Sequence, residues 1–84
     1  MNKHFEDTRY YLKRAGETAK RGVEEELEPL RERFQEIRGE EEEVEPGRID
    51  KLRSDLEDLE ERAEGEAKEA IGDAREKLRA YRQS

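Results

Sequence analysis

Apolar and small residues recur every three or four positions along almost the whole chain, in two stripes that mirror each other. The first runs Phe5, Thr8, Leu12, Ala15, Ala19, Val23, Leu27, Leu30, Phe34, Ile37. The second runs Ile49, Leu52, Leu56, Leu59, Ala63, Ala67, Ala70, Ala74, Leu78, Tyr81. Each has a mean period of about 3.56 residues, which is helical. Both are narrow, about one residue per turn, as in a coiled-coil seam. A period between 3.5 and 3.6 predicts only weak supercoiling.

Laying the second stripe back along the first sets Ile37 opposite Ile49, Phe34 opposite Leu52, Leu30 opposite Leu56 and Leu27 opposite Leu59. It also sets Val23 opposite Ala63, Ala19 opposite Ala67, Ala15 opposite Ala70, Leu12 opposite Ala74 and Phe5 opposite Tyr81. Residue numbers in each pair add to 86, or once to 85. A constant sum marks an antiparallel hairpin. The expected fold is therefore all-α, a single domain spanning 1–84. Helix 1 covers about 3–38, a loop about 39–46, and helix 2 about 47–82. Gly39 suits a left-handed C-terminal cap, and Pro46 suits the first position of the second helix. Glu40 to Glu43 oppose the helix macrodipole and belong to the loop tip. Pro29 interrupts helix 1, but the stripe passes through it, so a kink is expected there rather than a break.

A lone hairpin buries one thin seam, and six of its twenty stripe positions are Ala. Ordering a chain of this size for so little burial is marginal. The expectation is a homo-oligomer, a dimer in the first instance with a tetramer as the alternative, forming a four-helix bundle from two hairpins. Its self-association seam comprises Leu12, Ala15, Ala19, Val23, Leu27, Leu30, Phe34, Leu52, Leu56, Leu59, Ala63, Ala67, Ala70 and Ala74. Gly16, Gly22, Gly65 and Gly72 fall in the small-residue zone. Glycine weakens a helix interior, so a compensating close approach of helices is expected, or a groove for a partner.

Composition excludes more function than it suggests. Charged residues make up 51% of the chain and the formal net charge is -7. Without cysteine there is no disulfide or thiolate metal site. His4 is the one histidine, and neither Ser54 nor Ser84 has a triad context. Neither the Glu-x-x-His pattern of di-iron bundles nor an EF-hand spacing occurs. The chain reads as a non-enzyme without cofactor or metal. No apolar run reaches the length of a membrane span and no apolar leader segment is evident, so a cytoplasmic protein without membrane contact is expected. Acidic surface with low lysine also fits a protein that works in concentrated salt.

Charge is unevenly spread. Residues 1–23 hold six basic and three acidic residues; residues 75–84 hold four and one. In a hairpin these segments meet at the open end, opposite the acidic loop. That polarity can steer antiparallel assembly. Alternatively, Arg9, Tyr10, Lys13, Arg14, Lys20, Arg21, Arg75 and Arg79 form a basic contact for nucleic acid, through phosphates and tyrosine stacking, or for an unknown protein partner.

At MNKHFEDTRYYLKRAGETAKRGVEEELEP, and again at ERAEGEAKEAIGDAREKLRAYR, the chain resembles a small haloarchaeal family of unknown function. The resemblance implies a cytoplasmic protein of a halophile. It supplies no activity, cofactor or site residue. The functional expectation is a structural or interaction module that self-associates, with nucleic-acid binding as the alternative.

Overall fold

The computed structural model describes residues 3–39 and 46–83. Among them all regular structure is helical: α1 (Lys3–Thr18), α2 (Arg21–Gly39), α3 (Pro46–Arg62) and α4 (Gly65–Gln83). The two long helices expected from the stripes are thus four. One interruption falls at Ala19–Lys20 and the other at Ala63–Glu64. Pro29 lies inside α2, which continues through it. Most of the expected loop lies outside the described residues; Gly39 ends α2 and Pro46 begins α3.

The interruptions fall where the stripe is thinnest. Ala19 and Ala63 bury little, so parting the helix there gives up little packing. Hydrogen bonding runs up to each turn: Ala19 N–H donates to the Ala15 carbonyl (2.9 Å), and Glu24 N–H donates to that of Lys20 (2.9 Å). Ala63 N–H donates to the Leu59 carbonyl (3.0 Å). Gly65 then turns the chain with φ 64°, a left-handed conformation that glycine adopts without steric cost. At Pro29 only one backbone bond is lost and the ring lies on the exposed side of α2. Flanking Leu27 and Leu30 are buried and hold the helix together there.

Folding each long helix in half produces a bundle in which α1 packs against α2 and α4, and α3 against α2 and α4. The Phe5 ring meets Phe34 of α2 (centroids 5.6 Å apart) and Tyr81 of α4 (4.2 Å). Ion pairs join α4 to α1 (Lys77–Asp7, 3.8 Å), α2 to α3 (Arg33–Asp55) and α3 to α4 (Arg75–Glu60, 2.9 Å). The long dimension is 34 Å, whereas a straight helix through 3–39 would run roughly 55 Å.

All stripe residues are buried except Ala19, Val23 and Tyr81, which are partly buried against the core. Thr8, fully buried, satisfies its hydroxyl by donating to the His4 carbonyl at 2.7 Å. Ile71, which lies off the stripe, is also fully buried. It is needed because α4 faces two neighbours, so its apolar face must be wider than a two-helix seam. Of the expected seam residues, all but Ala19 and Val23 are buried within the single chain.

The bend also changes the charge map. The contacts of Phe5 bring the start of α1 beside the ends of α2 and α4. Lys20 and Arg21 sit at the opposite end, so the expected single basic end does not exist. Charge is divided laterally instead. α1 holds four basic and three acidic residues and α4 five and four, while α2 and α3 each hold four and six.

Candidate functional site

Along α1, Arg9, Lys13 and Gly16 follow one another at helical spacing on a single flank of the buried stripe. On α2, Arg31 and Gln35 do the same. The two flanks border a groove of about 220 Å³ lined by Arg9, Leu12, Lys13, Arg31, Phe34 and Gln35. Leu12 and Phe34 are buried and form its apolar floor. Gly16 makes room for the third cation: a Cβ there would stand 3.0 Å from Arg31 Nη1.

Arg9, Lys13 and Arg31 form no ion pair among the described residues; of the sequence-predicted cations outside the groove, all but Arg79 do. Arg14 pairs with Glu66 (3.8 Å), Lys20 with Glu64 (3.2 Å) and Arg21 with Glu25 (3.4 Å). Arg75 donates to Glu60 at 2.9 Å and to Glu76 at 3.1 Å. The bond to Glu60 raises the Arg75 pKa above its usual value, against the lowering effect of burial. Arg79 stands one turn beyond Arg75 on the flank of α4 that faces α3, away from the groove. Tyr10, next to Arg9, is 56% exposed and holds its ring edge-on to Tyr11 (centroids 5.2 Å).

The structure thus divides the eight predicted contact residues. It sets Arg9 and Lys13 on the groove, leaves exposed Tyr10 outside its lining with its ring against Tyr11, and pairs Arg14, Lys20, Arg21 and Arg75 with carboxylates. It adds Arg31 and Gln35, which the sequence reading missed. Along a straight helix Arg31 would lie roughly 27 Å from Lys13; only the turn at Ala19–Lys20 brings them to one groove. Repetition of the i, i+4 polar pair was the sole sequence signal for it.

The glycines play a different part from the one expected. A Cβ at Gly72 would come 2.8 Å from Glu60 Oε2, and Gly22 has nothing within 4 Å of that position. The approach at Gly16 and Gly72 is by the tip of a charged side chain from the neighbouring helix, not by helix backbone. Gly16→Ala is therefore expected to stabilise α1 by up to about 1 kcal/mol while pushing the Arg31 guanidinium out of the groove. Thermal unfolding checks the first effect; anion binding, which should weaken, checks the second.

The groove offers two guanidinium groups, an ammonium and an amide over an apolar floor. Those groups suit phosphate or carboxylate oxygens. Among the described residues no cluster of three His, Cys, Asp or Glu could hold a metal ion. No helix among them is long and apolar enough to cross a membrane. Compared with known families, residues 1–84 match the model described as "Family of unknown function (DUF7553)". No curated protein and no solved structure matches the chain.

Proposed function

We propose, for a chain that belongs to the family of unknown function DUF7553, the role of a non-enzymatic interaction module that receives an anionic partner in its α1–α2 groove. The observation that carries this reading is the convergence of Arg9, Lys13 and Arg31, none of them ion-paired among the described residues. In a chain with 25 acidic and 18 basic residues, most cations should find a carboxylate. Among the described residues Lys3, Lys68 and Arg79 also lack a pair, but Arg9, Lys13 and Arg31 are the unpaired cations that share one groove, which concentrates positive charge there into a local field. Such a field persists at short range because distant charges are screened beyond about 8–10 Å at moderate salt.

The phosphate backbone of single-stranded nucleic acid is the partner that suits this surface best. Arginine forks bind phosphate oxygens bidentately, and exposed Tyr10, outside the groove on the outer face of α1, offers a ring to a base of a strand that passes over that helix. The expected contact is weak, because the net charge of -7 opposes the approach of a polyanion. It falls steeply with salt, since each neutralised phosphate releases a counterion.

Anisotropy of a labelled single-stranded oligonucleotide, titrated with protein at low salt, tests this. The triple change Arg9→Gln, Lys13→Gln, Arg31→Gln is expected to lower affinity at least tenfold and flatten the salt dependence. The matched change Arg14→Gln, Lys20→Gln, Arg21→Gln removes the same charge from paired positions and should cost much less. Equal losses would mean that only net charge matters and would sink the groove as the site. No binding by the unaltered protein would sink the nucleic-acid reading.

A further inference from the structure

The stripe keeps its helical phase straight through both interior turns. The steps Ala15, Ala19, Val23, Leu27 and Leu59, Ala63, Ala67, Ala70 are all of three or four residues, as though no turn were there. Ala19 and Ala63 are themselves stripe positions. Neither turn is marked by a side-chain cap: Lys20 and Glu64 precede the new helices, where Ser, Thr, Asp or Asn would satisfy the free N–H groups. Apart from Gly65, whose left-handed φ marks the second turn, the sequence also suits helices that run straight on.

We infer that the chain exchanges helices with a second copy of itself, opening at Ala19–Lys20 and Ala63–Glu64 to give two straight helices that close against those of the copy. In the opened chain α1 still lies against α4, and α2 against α3. The contacts of α1 with α2, such as Phe5 with Phe34, and of α3 with α4, such as Arg75 with Glu60, form between copies instead. Every core contact of the folded chain has a counterpart in the exchanged dimer, as in domain swapping generally. The two forms differ at the turns. Opening gives up the exposed Lys20–Glu64 pair (3.2 Å), restores backbone hydrogen bonds across each junction, and covers Ala19 and Val23, which the folded chain leaves partly exposed. Protein concentration then sets which form prevails.

Two substitutions push the balance in opposite directions. Gly65→Ala strains the folded turn, where φ is 64°, and favours a straight helix; since both copies carry the change, the dimerisation constant should rise roughly a thousandfold or more. Arg21→Pro does the reverse. Lys20 is the N-cap of α2, since its carbonyl accepts from Glu24 N–H, so position 21 is the first helical position, where proline is welcome. A straight helix through position 21 would lose a backbone hydrogen bond and be kinked by the ring, and its neighbours Lys20 and Gly22 are exposed, unlike the buried Leu27 and Leu30 that hold α2 together at Pro29. This variant should keep the helicity of the folded chain and form no dimer.

The experiment is refolding at micromolar and at millimolar concentration, followed by native mass from light scattering and length from small-angle scattering. The expected result is a millimolar dimer elongated from 34 Å toward roughly 55 Å, enriched by Gly65→Ala and absent with Arg21→Pro. Monomer at every concentration in both the unaltered chain and Gly65→Ala overturns the inference, and so does a dimer that Arg21→Pro retains. Should Gly65→Ala fail to fold, the unaltered chain against Arg21→Pro decides alone, a monomeric unaltered chain counting against. Neither variant alters Arg9, Lys13 or Arg31, so this outcome is independent of the groove.

Discussion

Phe34→Ala is expected to cost roughly 3–5 kcal/mol, a large share of the stability that a domain of this size commands. Phe34 is 1% exposed and sits where three helices meet. Its ring lies 5.6 Å from that of Phe5 on α1, which in turn lies 4.2 Å from Tyr81 on α4. Removing the Phe34 ring leaves a cavity that Phe5 cannot fill, because its helix is anchored by Thr8, Leu12 and Ala15, all buried. The loss therefore includes a cavity contribution as well as the lost burial. Urea unfolding followed by circular dichroism measures it, with Tyr10→Ala as the exposed control, expected to change stability by less than about 0.5 kcal/mol. A loss below about 1 kcal/mol for Phe34→Ala would place that ring outside the packed core. Because Phe34 also floors the groove, Phe34→Leu is the milder change with which to probe anion binding in a folded chain.

Burial was legible in the sequence because it is dictated by apolar spacing alone. Leu27, Leu30, Leu52, Leu56 and Leu59 could be assigned to the interior without knowing what lay opposite them. The turns were not legible. Pro29 carries the strongest local breaking signal in the first half, yet α2 continues through it, since its buried neighbours outweigh one lost hydrogen bond. Lys20 and Glu64 carry no such signal, and the chain parts beside them because folding in half gives every helix two neighbours. That gain is collective and leaves no mark at the turn itself, apart from Gly65. Ile71 was missed for the same reason: its burial answers a second neighbour of α4. Among the candidate contact residues, Arg9 and Arg14 look alike in sequence. What separates them is Glu66, supplied to Arg14 by α4, whereas among the described residues no carboxylate is supplied to Arg9. Which cations remain available is therefore a tertiary property, as is the arrival of Arg31 beside Lys13.

Ala74→Glu is expected to unfold the chain at neutral pH, while Ala19→Glu leaves it folded. Ala15 on α1 and Ala67, Ala70 and Ala74 on α4 are buried at 0–2% exposure, and these small side chains let the two helices lie close. A glutamate at position 74 overfills that space, costing about 1–3 kcal/mol, and brings a carboxylate into it without a partner, which costs several more. Burial disfavours the charged form, so the new carboxyl has a higher pKa folded than unfolded. Its penalty is therefore full at neutral pH and is relieved as pH falls through the folded value toward the unfolded one near 4.3. Melting of Ala74→Glu should rise relative to the unaltered chain between pH 7 and pH 5. A variant as stable as the parent at pH 7 would refute the close α1–α4 packing. Ala19, by contrast, is only partly buried beside the turn, and a glutamate there reaches water, at a cost below about 1 kcal/mol. In the exchanged dimer the same position falls mid-seam, where the charge would be enclosed. Ala19→Glu should then suppress the millimolar dimer while leaving the monomer helical, so one residue reports separately on the two ways this stripe can be buried.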